Sequence, residues 1–161
     1  MRFIFVDRIM ALDPGLSIET LKNVSLTEDV FDDHFPGCPI LPGALIIELF
    51  TESAQLLIGL TSDFGQIGRL VRLSAASFRR LVRPGDQLRA RCERRNDQED
   101  TWILAASASV DGRRVATATL EFALEPAEPG SEAREHADRL RALAQLLDRS
   151  PLELFEPGSV S

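Results

Sequence analysis

His34-Phe35-Pro36-Gly37-Cys38-Pro39-Ile40-Leu41-Pro42-Gly43-Ala44-Leu45-Ile46-Ile47-Glu48-Leu49-Phe50 is the stretch that decides the fold. Its first half carries Pro36, Pro39, Pro42 and Gly37, which break regular structure and hold the chain in few conformations. From Ala44 to Leu60 the character reverses: the segment is almost uniformly apolar and has no proline, and Pro42-Gly43 stands where a helix begins. Apolar residues fall on nearly every side of that segment, which predicts a buried central helix.

Upstream, Arg2 to Met10 reads as a short strand, Asp13-Pro14-Gly15 as a turn and Ser17 to Leu26 as a second strand. Residues 27–42 read as loop. Downstream, Ile67 to Phe78, Gln87 to Arg95, Thr101 to Val110 and Arg113 to Leu124 read as strands. Asp111-Gly112 is a two-residue hairpin turn between the last two. A single sheet must cover its apolar face, and the central helix is the large apolar element available. Pro126, Pro129 and Gly130 mark the end of the compact body. Ser131 then caps an amphipathic helix with Leu140, Leu143, Ala144 and Leu147 on one side, and the last ten residues read as frayed. The expected division is a main domain over 1–125 and an extension over 126–161.

With 161 residues, one domain with a real core is expected. Met1 to Val6 is too short an apolar run for a signal peptide, and no run approaches the roughly 20 apolar residues of a membrane span. Two cysteines, Cys38 and Cys92, make no disulfide framework, so the cytoplasm is the expected compartment. Two histidines and two cysteines argue against a Cys/His metal site. Cys38, four residues from His34, reads as a small packing residue in preference to a nucleophile.

The net charge of −7 argues against nucleic acid, since phosphate contacts need a positive surface. Residues 69–95 nevertheless carry +7. They form either a solvated face of strands or a surface for a small acidic partner.

Glu48 stands out as a carboxylate inside an apolar helix. If buried, it tends to be neutral and able to donate a proton near pH 7. The alternative is a glutamate that pairs with an arginine or reaches the surface. His34, in the stiffened loop just before the helix, is the natural general base. Asp32-Asp33 before it could orient the ring, or form a solvated turn. Glu52 and Gln55 follow Glu48 at i+4 and i+7 on one helical face. Gly43, at the helix N-terminus, offers a free N–H and no side chain, which suits negative charge on a substrate carbonyl. His136 reads as a surface residue of the last helix.

The run from His34 to Glu48 closely resembles the active-site signature of the β-hydroxyacyl-(acyl-carrier-protein) dehydratases of bacterial fatty-acid synthesis. Phe5-Val6-Asp7-Arg8-Ile9, Lys22-Asn23-Val24-Ser25 and Phe78-Arg79-Arg80-x-Val82-x-Pro84-Gly85-Asp86-Gln87-Leu88 resemble flanking segments of the same family. The resemblance covers residues 2–124. It implies an α+β hot-dog fold, a long central helix wrapped by a curved antiparallel sheet, here with an extra C-terminal helix.

It further implies a homodimer or higher homo-oligomer whose active site joins His34 of one subunit to Glu48 of the other. His34 would take the α-proton and Glu48 would protonate the leaving β-hydroxyl. Gly43 would hold the thioester carbonyl, with Phe35, Pro36, Gly37 and Glu52 also against substrate. The acyl chain would arrive on the phosphopantetheine of an acidic acyl carrier protein, docked at Arg79, Arg80 and Arg83, with no metal or other cofactor. A hot-dog thioesterase or isomerase, or a non-catalytic carrier-binding subunit, is the alternative. The chain departs from the family at Glu52, usually glutamine, at Leu41, often methionine, in its lack of tyrosine and in its tail helix. These departures suggest a specialised homologue, as in polyketide-type secondary metabolism. A second carboxylate at Glu52 would repel ionised Glu48.

Overall fold

The computed structural model describes residues 5–148. The expected strand residues 2–4 and the fraying of the last ten residues lie outside the described residues. Within the described residues, six strands form one antiparallel sheet: β1 (Arg8–Asp13), β2 (Ser17–Asn23), β3 (Gln66–Phe78), β4 (Gln87–Arg94), β5 (Thr101–Val110) and β6 (Arg113–Pro126). Their spatial order is β1-β2-β4-β5-β6-β3, so β1 and β3 are the edges. Three helices accompany them: α1 (Val30–Asp33), α2 (Gly43–Thr61) and α3 (Glu132–Leu147). This is the expected α+β hot-dog arrangement, a long helix against an antiparallel sheet.

One face of the sheet is built by strict alternation. Leu88, Ala90 and Cys92 of β4, Trp102, Leu104, Ala106 and Ala108 of β5, and Ala116, Ala118, Leu120 and Phe122 of β6 are all buried. They share one core with Leu49, Phe50, Ala54, Leu56, Leu57 and Ile58 of α2. Ala106 pairs with Ala118 and Ala108 with Ala116 across the β5–β6 ladder, which puts four small side chains on the buried face. The hairpin between these strands turns at Asp111 (φ 49°) and Gly112 (φ 74°), the positive pair that a two-residue turn requires.

Three expectations are corrected. The first strand starts at Arg8 and extends to Asp13, and the second stops at Asn23. It stops there because Val24 turns away to exchange backbone hydrogen bonds with the β3–β4 turn, at Asp86 (3.0 Å) and Gly85 (2.9 Å). Residues 27–42 contain the single helical turn α1. Finally, α2 is long and apolar enough to cross a membrane by length and composition, contrary to the reading of its apolar runs. Here half of it is buried in the fold, and its residues Ala44 and Glu48 lie exposed. The helix is therefore covered by its own chain on one side and not all round.

The capping expectation for α3 is met: Ser131 accepts a hydrogen bond from the Arg134 N–H at 3.1 Å. Leu140, Leu143, Ala144 and Leu147 are buried in the same core as α2. Two of its arginines reach the turn after α2. Arg134 donates to the Phe64 carbonyl, and Arg141 donates to the Asp63 carbonyl at 2.7 Å while lying over the Phe64 ring. Asp63 and Phe64 both have positive φ, 48° and 58°.

Candidate active site

His34 closes α1, its N–H bonded to the Val30 carbonyl at 3.1 Å. The loop after it folds on itself: Phe35 and Cys38 exchange backbone hydrogen bonds at 3.3 and 2.9 Å, and Gly37 takes φ 77°. Ile40 donates its N–H to the His34 carbonyl at 3.1 Å, and Leu41 donates to the Val82 carbonyl at 2.8 Å. The imidazole is thereby held at both ends of the loop. Its Nδ1 lies 3.3 Å from the Ile40 carbonyl oxygen, and its face stacks on Phe35 with centroids 4.2 Å apart. A carbonyl only accepts, so this bond places the proton on Nδ1 and leaves a lone pair on Nε2. Asp32 and Asp33 are exposed, and the ring takes Ile40 instead of either carboxylate.

Gly43 is the first residue of α2, with Pro42 before it in extended conformation (ψ 140°). Its N–H has no carbonyl one turn back to bond, as at any helix start. A β-carbon on Gly43 would stand 2.9 Å from Cε1 of Phe78, so the aromatic ring already fills the space beside the glycine. The sequence alone offers substrate approach as the reason for Gly43; the ring is a second reason for glycine there.

Glu48 corrects the sequence reading of a buried carboxylate, because it is exposed on this chain. It sits on the face of α2 that the sheet does not cover. Among the described residues no hydrogen bond or ion pair joins it to His34. Glu52, one turn on, is half-buried, and its Oε1 accepts from the N–H groups of Phe5 (3.1 Å) and Val6 (2.9 Å). A glutamine oxygen could accept the same two bonds, so this contact fits either residue type. Gln55 donates to the Gly68 carbonyl of β3 at 3.1 Å. Phe35, Pro36 and Gly37 are exposed beside His34. Cys38 is exposed too, which overturns its reading as a packing residue. Cys92 is buried, and loss of solvent pushes its thiol up to about 12.

The basic stretch divides in two. Arg69, Arg72, Arg91 and Arg95 pair with Glu125, Glu121, Glu19 and Glu93 on strands, the solvated-face reading. Arg79 and Arg80 do not: with Arg113 and Arg114 they line an open cleft of about 580 Å³. Arg83 is exposed but outside that lining. Arg113 and Arg114 are not among the residues that the sequence singles out. The signal for them is the hairpin itself, since antiparallel pairing of Phe78 with Ala116 brings Arg79-Arg80 alongside Arg113-Arg114. Lys22, the one lysine of the chain, is buried and paired with Glu28 at 3.1 Å. His136 is half-buried on α3 and not a surface residue. No group of three or more His, Cys, Asp or Glu suited to a metal ion occurs among the described residues.

A histidine with a basic Nε2, an exposed carboxyl group and a helix N-terminal N–H together offer a base, an acid and an oxyanion donor. Residues 1–119 match the FabA-like domain family. The chain is similar to the 3-hydroxyacyl-(acyl-carrier-protein) dehydratase FabZ of Nitrosospira multiformis, 40% identical over 129 residues, covering 78% of this chain and 88% of the relative. It is also 37% identical over 133 residues to the FabZ of Symbiobacterium thermophilum, covering 82% and 94%. Among solved structures it resembles smu.793 of Streptococcus mutans bound to acetyl CoA (TM-score 0.62, 14% identity, 78% and 94% covered). It also resembles the dehydratase heterocomplex ApeI:P of Xenorhabdus doucetiae (TM-score 0.58, 18% identity, 76% and 99% covered).

Proposed function

This chain belongs to the FabA-like family, and from that membership we propose how it works as a 3-hydroxyacyl-(acyl-carrier-protein) dehydratase. It is a hydro-lyase of fatty-acid-type synthesis, converting 3-hydroxyacyl thioesters to trans-2-enoyl thioesters. The observation that carries the mechanism is the Nδ1 bond of His34 to the Ile40 carbonyl, because it leaves Nε2 free to accept a proton.

Nε2 of His34 takes the α-proton of the substrate. Negative charge then develops on the thioester oxygen, to which the Gly43 N–H donates a hydrogen bond. Glu48 delivers a proton to the β-hydroxyl, the C–O bond breaks and water departs. The imidazolium and the carboxylate then return to their starting states by one net proton transfer. The substrate gains and loses no electrons overall, so side chains suffice and no cofactor beyond the substrate's own phosphopantetheine is needed.

His34 and Glu48 act across a homodimer, one from each subunit. In support, Glu48 is exposed on the single chain and unlinked to His34. The free edge β3 also leaves Val71, Leu73 and Phe78 about half exposed, an apolar edge that suits pairing with a second copy. Phe35, Pro36 and Gly37, exposed beside His34, meet the substrate, and Glu52 acts at one remove by holding residues 5–6 to α2. The carrier protein docks on the arginines after β3, among them Arg79 and Arg80, with Arg83 at their margin. The place of action is the cytoplasm, in keeping with two free cysteines.

Mass spectrometry of β-hydroxyacyl-carrier-protein substrates tests this reading. Loss of one water with wild type, and with neither His34→Ala nor Glu48→Gln, is the expected result. Free fatty acid as the product would overturn it.

A further inference from the structure

Arg79, Arg80, Arg113 and Arg114 line an open cleft of about 580 Å³ without any acidic residue in the lining. Among the described residues, none of their guanidinium groups makes an ion pair or hydrogen bond with the protein. Arg69, Arg72, Arg91, Arg95, Arg134 and Arg141, by contrast, all have carboxylate partners. Four like charges are thus held together on a chain of net charge −7, an arrangement that attracts an anionic partner. Asp111 stands two residues before Arg113 and still does not line the cleft.

The cluster is also tied to the reaction centre. Arg79 follows Phe78, whose ring lies on Gly43, and its N–H is bonded to the Val115 carbonyl at 2.8 Å. That bond locks the end of β3 to the strand carrying Arg113 and Arg114. An anionic body resting on the four arginines is thus positioned beside the N-terminus of α2.

We propose that Arg113 and Arg114 form the second half of the docking surface, and that the cleft takes the acidic carrier protein through all four arginines. This rests on the dehydratase reading. The two added residues contribute to binding of the carrier and not to chemistry. They make the enzyme prefer carrier-bound acyl groups over the same acyl groups on a small thiol.

The test compares wild type, the double variant Arg113→Ala/Arg114→Ala and a control, Arg8→Ala/Arg89→Ala, which removes the same charge elsewhere. Each is assayed on one β-hydroxyacyl group carried either by holo carrier protein or by pantetheine alone. The expected result is a fall of about tenfold in kcat/KM on the carrier-bound substrate, the effect of two exposed charge contacts, borne by KM. Turnover of the pantetheine thioester stays unchanged, the control alters neither, and all three proteins melt alike. Equal loss on both substrates, an equal effect of the control, or no loss at all overturns the proposal. Should wild type dehydrate neither substrate, the dehydratase reading fails. Direct titration with fluorescent holo carrier protein then decides the docking site: weaker binding to Arg113→Ala/Arg114→Ala than to wild type upholds it, and equal binding overturns it.

Discussion

The ring of Phe78, the last residue of β3, lies against the α-carbon of Gly43, the first residue of α2. A β-carbon added there would stand 2.9 to 3.2 Å from three ring atoms. Gly43→Ala therefore has to push the ring outward, toward solvent, since Phe78 is about half exposed. The stability cost is expected at the low end of overpacking, about 1 kcal/mol. Activity falls much further if the ring is displaced over the substrate carbonyl. The double variant Gly43→Ala/Phe78→Ala separates the causes: recovered kcat/KM means the ring was the obstacle, and no recovery means the added methyl itself blocks the carbonyl.

Removing the base and the acid acts on kcat more than on KM. General acid–base groups contribute about 10²- to 10⁴-fold each, so His34→Ala and Glu48→Gln are each expected to lower kcat within that range. Because the two act on one elimination, the double variant loses little more than the worse single one. Mixing inactive His34→Ala with inactive Glu48→Gln protein tests the shared site. If each subunit lends one residue, mixed dimers contain one intact site and activity returns; activity that stays absent after confirmed subunit exchange argues for sites within one chain.

How much of this is legible in the sequence depends on whether the cause is local. The loop at 34–42 and the start of α2 follow from Pro36, Pro39, Pro42 and Gly43, whose restrictions act on their own backbone. The hairpin at Asp111-Gly112 does so as well. Glu48 is different: an apolar helix suggests cover on every side, and nothing local tells which side the sheet takes. The Arg113-Arg114 half of the cleft depends on β3–β6 pairing, a non-local fact. Lys22 illustrates the same limit: its partner Glu28 is near in sequence, but the strand it pairs with, at Leu88, is not.

Lys22 and Glu28 give a stability prediction. Lys22 is 5% exposed and paired with Glu28 at 3.1 Å, while Glu28 also accepts from the Ser25 N–H at 3.1 Å. Removing only the acid leaves a buried ammonium without its partner, so Glu28→Gln is expected to cost about 2 kcal/mol, less than a fully buried pair because Glu28 is partly exposed. Lys22→Met removes the charge itself and is expected to be near neutral. Urea unfolding of the two variants checks the order; a costlier Lys22→Met would show that the pair is strongly attractive in its own right.

Cys92 predicts a loss of stability at alkaline pH. Burial pushes its thiol up to about 12 from the ordinary 9.0, so the folded state keeps the proton where the unfolded state has lost it. The contribution is fully present below pH 9.0 and declines as pH rises toward 12, by at most about 1.4 kcal/mol per pH unit. Cys92→Ala removes this slope, at the cost of a small cavity. Exposed Cys38 should meanwhile react at once with a thiol reagent in native protein, and Cys92 only on unfolding. Two equally fast thiols would contradict the burial.

The C-terminal helix is expected to be part of the folding unit and not an appendage. Leu140, Leu143 and Leu147 are buried in the core shared with α2, and Arg134 and Arg141 hold the left-handed turn at Asp63-Phe64. Each buried leucine contributes on the order of 1.5 to 3 kcal/mol, so losing three approaches the whole stability of a small domain. A chain ending at Ala127 would also expose Ile9, Leu60 and Phe64, which line the groove against α3. It is expected to be insoluble or to melt far below the full chain. Leu143→Ala alone should cost about 2 to 5 kcal/mol. Arg134→Ala/Arg141→Ala should cost less, since Arg141 is half-buried and its contacts are partly solvated. Thermal melts of these proteins distinguish the two cases: a truncated chain that folds and melts like the full one would make α3 an independent extension.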